Sequence, residues 1–188
     1  GIPAGILSGL GGRKTDILMM RICDIVLAFP FLILALVLTG MMGTSLKSLI
    51  FGVGIAGWAW WARFVRGMIL SAKEKDFVKA ARCMGLSRLR IIRRCIIPQI
   101  LPPLLVSISL SAGKMMVVIS GLSYLGLGVQ PPTPEWGMML REARLYMDRS
   151  PWLILAPGSA IALSVLAFTL IGEGLRDYFQ VRPKNEII

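Results

Sequence analysis

Apolar residues in this chain come in long unbroken runs rather than in alternation. Ile25 to Met42 is 18 residues without a charge, rich in Leu, Ile and Val. Ser48 to Ala62 is apolar and carries on to Leu70 through Arg63 and Arg66; further runs extend from Pro98 to about Gly121 and from Trp152 to Ile171. Gly1 to Leu10 is apolar over half that length. About 20 apolar residues cross the hydrocarbon core as a helix, and only helices or closed barrels satisfy their own backbone groups in lipid. Barrel strands alternate and these runs do not. The pattern predicts an all-α, polytopic membrane helix bundle with about five spans in this chain.

The interruptions are as regular as the runs. Gly11-Gly12-Arg13-Lys14 forms a turn, Pro30 predicts a kink inside the second run, and Gly43-Thr44-Ser45 closes it. A glycine-rich stretch, Leu122 to Gly128, precedes Gln130-Pro131-Pro132-Thr133-Pro134, which must be a loop. Trp136 to Met147 predicts a short amphipathic surface helix, and Pro157 lies near the first turn of the last span.

Charge sets the orientation. Charged residues make up 16% of the 188, against about 25% in soluble domains; mean hydropathy is +0.72. Sixteen Lys and Arg fall in segments 11–21, 63–95 and 173–188; Lys47, Arg141, Arg144 and Arg149 lie on the other side, and Lys114 within a span. The positive-inside rule places the basic loop Lys73 to Pro98 and the C-terminus in the cytoplasm. A net charge of +11 flanking spans, with no groove-reading module, argues against nucleic acid. The chain has no histidine, its three cysteines (Cys23, Cys83, Cys95) form no CxxC pair, and it has no phosphate-cradling GxxxxGK[ST] loop. No catalytic residues, metal site, cofactor or disulfide framework is expected.

Single residues leave alternatives. Arg63 and Arg66 share a face and are expected to snorkel to the interface. Trp58, Trp60 and Trp61 fit a headgroup belt or, alternatively, a substrate wall. Asp24 is expected to pair with Arg21, one turn away. Lys114 either lines a pathway, where it would meet a carboxylate, or snorkels or pairs with a neighbouring chain. Met115 and Met116 are packing residues or soft metal ligands. Arg176 and Asp177 either lock the tail against the basic loop or stay solvated.

The basic loop has internal order. Asp76 to Gly85 reads as a short helix with Asp76 as its N-cap and Gly85 as its left-handed stop. Ala80 and Ala81 permit close approach of another surface, and Phe77 and Met84 offer anchors. Ser87 caps a second helix, Arg88 to Arg94, which includes Arg90, and Ile97-Pro98 turns the chain back into the membrane. Such a segment is either a rigid knob at a right-angled bend or a solvated topology signal.

This segment resembles the EAA motif of ABC importer permeases: Glu-Ala-Ala, three residues, Gly, nine residues, Ile-x-Leu-Pro. Here it reads Lys79-Ala80-Ala81, three residues, Gly85, nine residues, Cys95-Ile96-Ile97-Pro98. The spacing matches throughout, while Lys79, Cys95 and Ile97 depart in identity. Gly11-Gly12-Arg13 with Asp16, Arg21-Ile22-Cys23-Asp24, Phe29-Pro30, and Trp58 with Ala62-Arg63 and Arg66 resemble the second, C-type permease of the dipeptide, oligopeptide and nickel branch. So do Leu122 to Gly128, Pro131-Pro132-x-Pro134-x-Trp136-Gly137 and Gly172-x-Gly174-Leu175-Arg176-Asp177.

The resemblance implies a type I importer permease fold in one domain, 1–188, with six spans in the full protein. The chain begins Gly1-Ile2-Pro3, so a first helix and part of a second are expected ahead of it. It implies a pathway for peptides or nickel and metal chelates in a bacterial or archaeal inner membrane. The implied partners are a second permease, two ABC ATPases that bind and hydrolyse the ATP, and an extracytoplasmic solute-binding protein. Loop 73–98 would then contact the ATPase through Asp76, Lys79, Ala80, Ala81, Arg82, Gly85, Arg90 and Pro98. Lys114, Met115 and Met116 would belong to the pathway. The alternative is an ion-coupled secondary transporter, which would often carry paired halves with midplane carboxylates.

Overall fold

A computed structural model of the chain describes residues 1–179; the basic tail residues Arg182 and Lys184 lie outside them. Every regular element among the described residues is helical. They are α1 (Ile2–Leu10), α2 (Arg13–Leu27), α3 (Phe31–Met42), α4 (Leu46–Lys73), α5 (Asp76–Cys83) and α6 (Arg88–Ile91), followed by α7 (Ile97–Tyr124), α8 (Trp136–Ala143) and α9 (Trp152–Tyr178). A π-helical stretch, Ile92–Ile96, joins α6 to α7, so that Arg88–Tyr124 is 37 helical residues. A 3₁₀ turn, Arg144–Tyr146, extends α8.

Three of these helices are long and apolar enough to cross a membrane: α4, the α6–α7 rod and α9; the bent pair α2 and α3 adds a fourth if it counts as one span. The run Ile25 to Met42 is not one kinked helix. Its helix stops at Leu27, and Pro30 is the N-cap of the next, because proline lacks an N–H and drives the residue before it out of the helical region.

The described residues divide into two compact units, 1–28 with 58–107 and 173–179, and 29–57 with 108–172. In the first, α1 lies against the second half of α4 along Gly1, Gly5 and Gly9, which share a face at four-residue spacing. A Cβ on Gly5 would stand 2.6 Å from the Ala62 carbonyl oxygen and 2.8 Å from the Val65 Cβ, and one on Gly9 2.9 Å from the Ile69 Cβ. Small residues permit this backbone approach. Beyond it lies a core of Val65, Ile69, Ala72, Val78, Ala81, Ile91, Ile96, Ile100 and Leu104. Cys23 packs with Ala59 and Ala62.

Charges fasten this unit. Arg66 holds Asp16 at two points, 2.5 and 2.6 Å, and Ser8 donates to the same carboxylate. Arg63 pairs with Asp24. The two arginines are thus partnered rather than snorkelling free, and Asp24 takes Arg63 rather than Arg21. An i,i+3 neighbour lost to a residue 39 positions away because α4 lies alongside α2.

The second unit is built around Ala35, Leu49, Val53, Ala56 and Leu122, from α3, α4 and α7. A Cβ on Gly52 would stand 3.0 Å from the Thr39 backbone nitrogen, so α3 and α4 meet almost backbone to backbone. Gly126, at φ +92°, ends α7: Leu127 N–H donates to Leu122 O and Gly126 N–H to Ser123 O, which together satisfy the last carbonyls. Helix α8 is capped by the Glu135 carboxylate, which accepts from Met138 N–H at 2.9 Å. Gly137 lets α8 rest on Ser120 of α7.

Candidate functional site

The loop between α4 and the α6–α7 rod is the site the sequence singles out. Helix α4 frays into two tight turns, Glu74 N–H to Ser71 O and Lys75 N–H to Ala72 O. Lys75, extended at ψ 141°, is the N-cap of α5. Asp76 is therefore not the cap, as expected, but the first helical residue, where its carboxylate still complements the positive end of the helix. The far end is as predicted. Gly85 takes φ +76°, with Leu86 N–H donating to Ala81 O and Gly85 N–H to Arg82 O. Leu86 then packs back onto the core.

Helical periodicity sorts α5 into two faces. Val78 and Ala81 point inward and are 0% and 4% exposed, packed in the cluster that includes Val65, Ile69 and Ile91. Phe77, Ala80 and Met84 point outward, Phe77 at 46% and Met84 at 72% exposed. The expectation that both alanines face a partner is corrected here: Ala81 is core, and Ala80 alone is the small exposed residue. Lys79, where the motif has Glu, is exposed and lies 3.4 Å from Glu74. Cys83 completes the outer rim, while Arg82 is exposed on the side of the α1 end.

Ser87 is the N-cap of α6, through its backbone only. Ile91 is buried, and Leu89 and Arg90 are exposed. The second helix does not end at Arg94, nor does Ile97-Pro98 turn the chain. Ile97 N–H donates to Ile92 O, five residues back. The widened turn lies just ahead of Pro98, whose ring would otherwise meet the carbonyl of Arg94 in a tight helix. Pro98 is thus an exposed residue inside a continuous rod.

Two cations brace this loop to α1. Lys73 donates to the Gly9 carbonyl and Arg88 to the Leu10 carbonyl, satisfying free groups at a helix C-terminus where positive charge is favoured. Nearby, the Arg66 guanidinium, with help from Ser8, holds the Asp16 carboxyl down at about 2. Neither the brace nor the glycine stripe was anticipated, although the spacing Gly1-x₃-Gly5-x₃-Gly9 is visible in the sequence.

The pathway candidates lie on α7 in the other unit. Lys114 is exposed, in line with exposed Val117, Gly121 and Tyr124, and makes no ion pair among the described residues. Met115 packs against the Ala35–Leu49–Leu122 cluster, as a packing residue would, and Met116 is half-buried. Arg176 and Asp177 are exposed and unpaired among the described residues.

Comparison with known proteins gives consistent relatives. The chain is 39% identical over 178 residues to the nickel transport system permease protein NikC of Escherichia coli (strain K12), covering 95% of this chain and 64% of that protein. It is 38% identical over 185 residues to the dipeptide transport system permease protein DppC of Alkalihalophilus pseudofirmus (98% and 61%). It is 39% identical over 185 residues to the glutathione transport system permease protein GsiD of Pectobacterium atrosepticum (98% and 62%). The chain thus spans less than two thirds of the length of these curated relatives. Residues 1–185 match the family described as binding-protein-dependent transport system inner membrane component, and the chain belongs to that family.

Proposed function

We propose that this chain is the membrane-spanning permease subunit of an ABC importer, one permease domain that helps form the translocation path and receives work from cytoplasmic ATPases through loop 73–98. The observation that carries this reading is the construction of α5. Its inner face is locked into the core by Val78 and Ala81, and its outer face presents Phe77, Ala80 and Met84 to solvent. A helix stopped by Gly85, with Lys73 and Arg88 on either side of it tied to the end of α1, is held firmly in its unit, which suits force transmission.

A second permease, two ATPases and a solute-binding protein are the partners this reading requires, with loop 73–98 and the C-terminus in the cytoplasm. Three relatives named for cargoes as different as nickel, a dipeptide and glutathione are about equally similar to this chain. That is expected if cargo is selected largely outside this subunit; peptides or metal chelates are the proposed cargo class. Lys114 is proposed to face the path, where it would favour a carboxylate. ATP would be bound by the partners alone.

Co-purification tests the docking. Ala80→Glu with Met84→Glu in the full-length chain should abolish retention of the ATPase subunit and uptake, with the permease present in the membrane at its normal level. Normal retention and uptake in that variant would overturn the reading.

A further inference from the structure

Between the end of α1 and the coupling loop lies a cavity of about 410 Å³, lined by Leu10, Lys73, Arg82, Leu86 and Arg88 with Ile91, Ile92 and Ile96 behind. Its rim carries three cations and its floor is apolar. None of the three cations is paired with a carboxylate among the described residues. Lys73 and Arg88 each use one donor on an α1 carbonyl, and Arg82 makes no hydrogen bond there. Lysine has three donors and arginine five, so most remain free. The Asp16 carboxylate is already engaged by Arg66 and Ser8.

Position narrows the ligand. Leu10 closes the apolar run of α1 and Lys73 the span α4, and the Gly9 and Leu10 carbonyls hold Lys73 and Arg88 at that same level. The cavity therefore sits where helices leave the bilayer, the level of lipid headgroups, and basic pockets beside helix ends take acidic headgroups. Its volume falls in the range that encloses a small ligand. A free anion would satisfy the rim but leave the apolar floor unused.

We propose that this cavity binds one anionic phospholipid, its phosphate held by Lys73, Arg82 and Arg88 and the start of an acyl chain laid over Leu10, Leu86 and Ile92. The lipid would complete the brace between α1 and the coupling loop.

Native mass spectrometry of the full-length permease, delipidated and then titrated with phosphatidylglycerol or phosphatidylcholine, tests it. Wild type should retain phosphatidylglycerol at least about fivefold better, and Arg82→Gln should lose about fivefold, one basic residue at an anionic surface being worth about that factor. Arg93→Gln, equal in charge change, exposed and absent from the lining, should behave as wild type. Arg82→Lys should restore the preference and shows that loss in Arg82→Gln is not misfolding. Equal retention of the two lipids, or an equal loss in Arg93→Gln, would overturn the proposal. So would glycerol phosphate competing as well as the lipid, which would leave the floor no role, or displacement of the lipid by the ATPase subunit, which would make the cavity a protein contact.

Discussion

Asp16 and Asp24 are both paired with arginines of α4, yet the two pairs differ in what surrounds them. The Asp16–Arg66 side chains are 24% and 27% exposed and meet at two points, with Ser8 as a third partner. Those of Asp24 and Arg63 are 54% and 47% exposed. A charged hydrogen bond shielded from water is worth about 2 kcal/mol, whereas an exposed ion pair is worth less than about 1 kcal/mol. Asp16→Ala should lower thermal stability in detergent by about 2 kcal/mol, and Asp24→Ala by less than half of that. The sign with pH follows from the low Asp16 value. Its folded carboxyl lies at about 2 against an ordinary 3.8, so its stabilisation is complete above the ordinary value and is lost as pH falls towards 2. Unfolding followed from pH 5 to pH 2.5 should show this loss in wild type and lack that component in Asp16→Asn.

At the scale of elements, close backbone approach is what distinguishes these helices from a generic apolar bundle. Without a hydrophobic drive between helices in lipid, packing and small residues set the contact. Gly5→Val places branched carbons where the Ala62 carbonyl and Val65 now sit, and such overpacking costs about 1–3 kcal/mol. Gly54→Ala, exposed in the interior of α4 where a Cβ meets nothing within 4 Å, should not lower stability; the pair of melting curves checks both. The three long spans, the loop at Gln130 to Pro134, and the stop at Gly85 were legible in the sequence because each depends on local composition or on one residue's backbone preference; the run Ile25 to Met42, expected as one kinked span, was not. Which alanine of the loop faces inward was not, because Ala80 and Ala81 are equally small and only the position of the Val65–Ile91 core decides. The continuous rod through Pro98 was hidden for a related reason: a π turn is invisible to apolar periodicity, and proline alone reads as a break. The partners of Arg63 and Arg66 required knowing that α2 and α1 lie along α4.

For the whole molecule, the governing asymmetry is sixteen basic residues against four. Each Lys or Arg retained on the cytoplasmic side adds to the bias of insertion, so the proposed orientation rests on many small contributions rather than on one anchor. The cysteines make it testable. Cys83 is exposed at the outer rim of α5, while Cys23 is fully buried. In a full-length chain with Cys95→Ala, a membrane-impermeant maleimide should leave Cys83 unmodified in intact spheroplasts and modify it completely in inverted vesicles. A cysteine placed at Thr133, in the proline-rich loop on the opposite side by the same charge count, should give the reverse. The two sites must answer oppositely, because the rod through Pro98 is read as one crossing. If both label from the same side, that rod does not cross the membrane and the coupling role of loop 73–98 loses its basis. If both simply exchange sides, the crossing stands, but the loop faces away from any cytoplasmic ATPase.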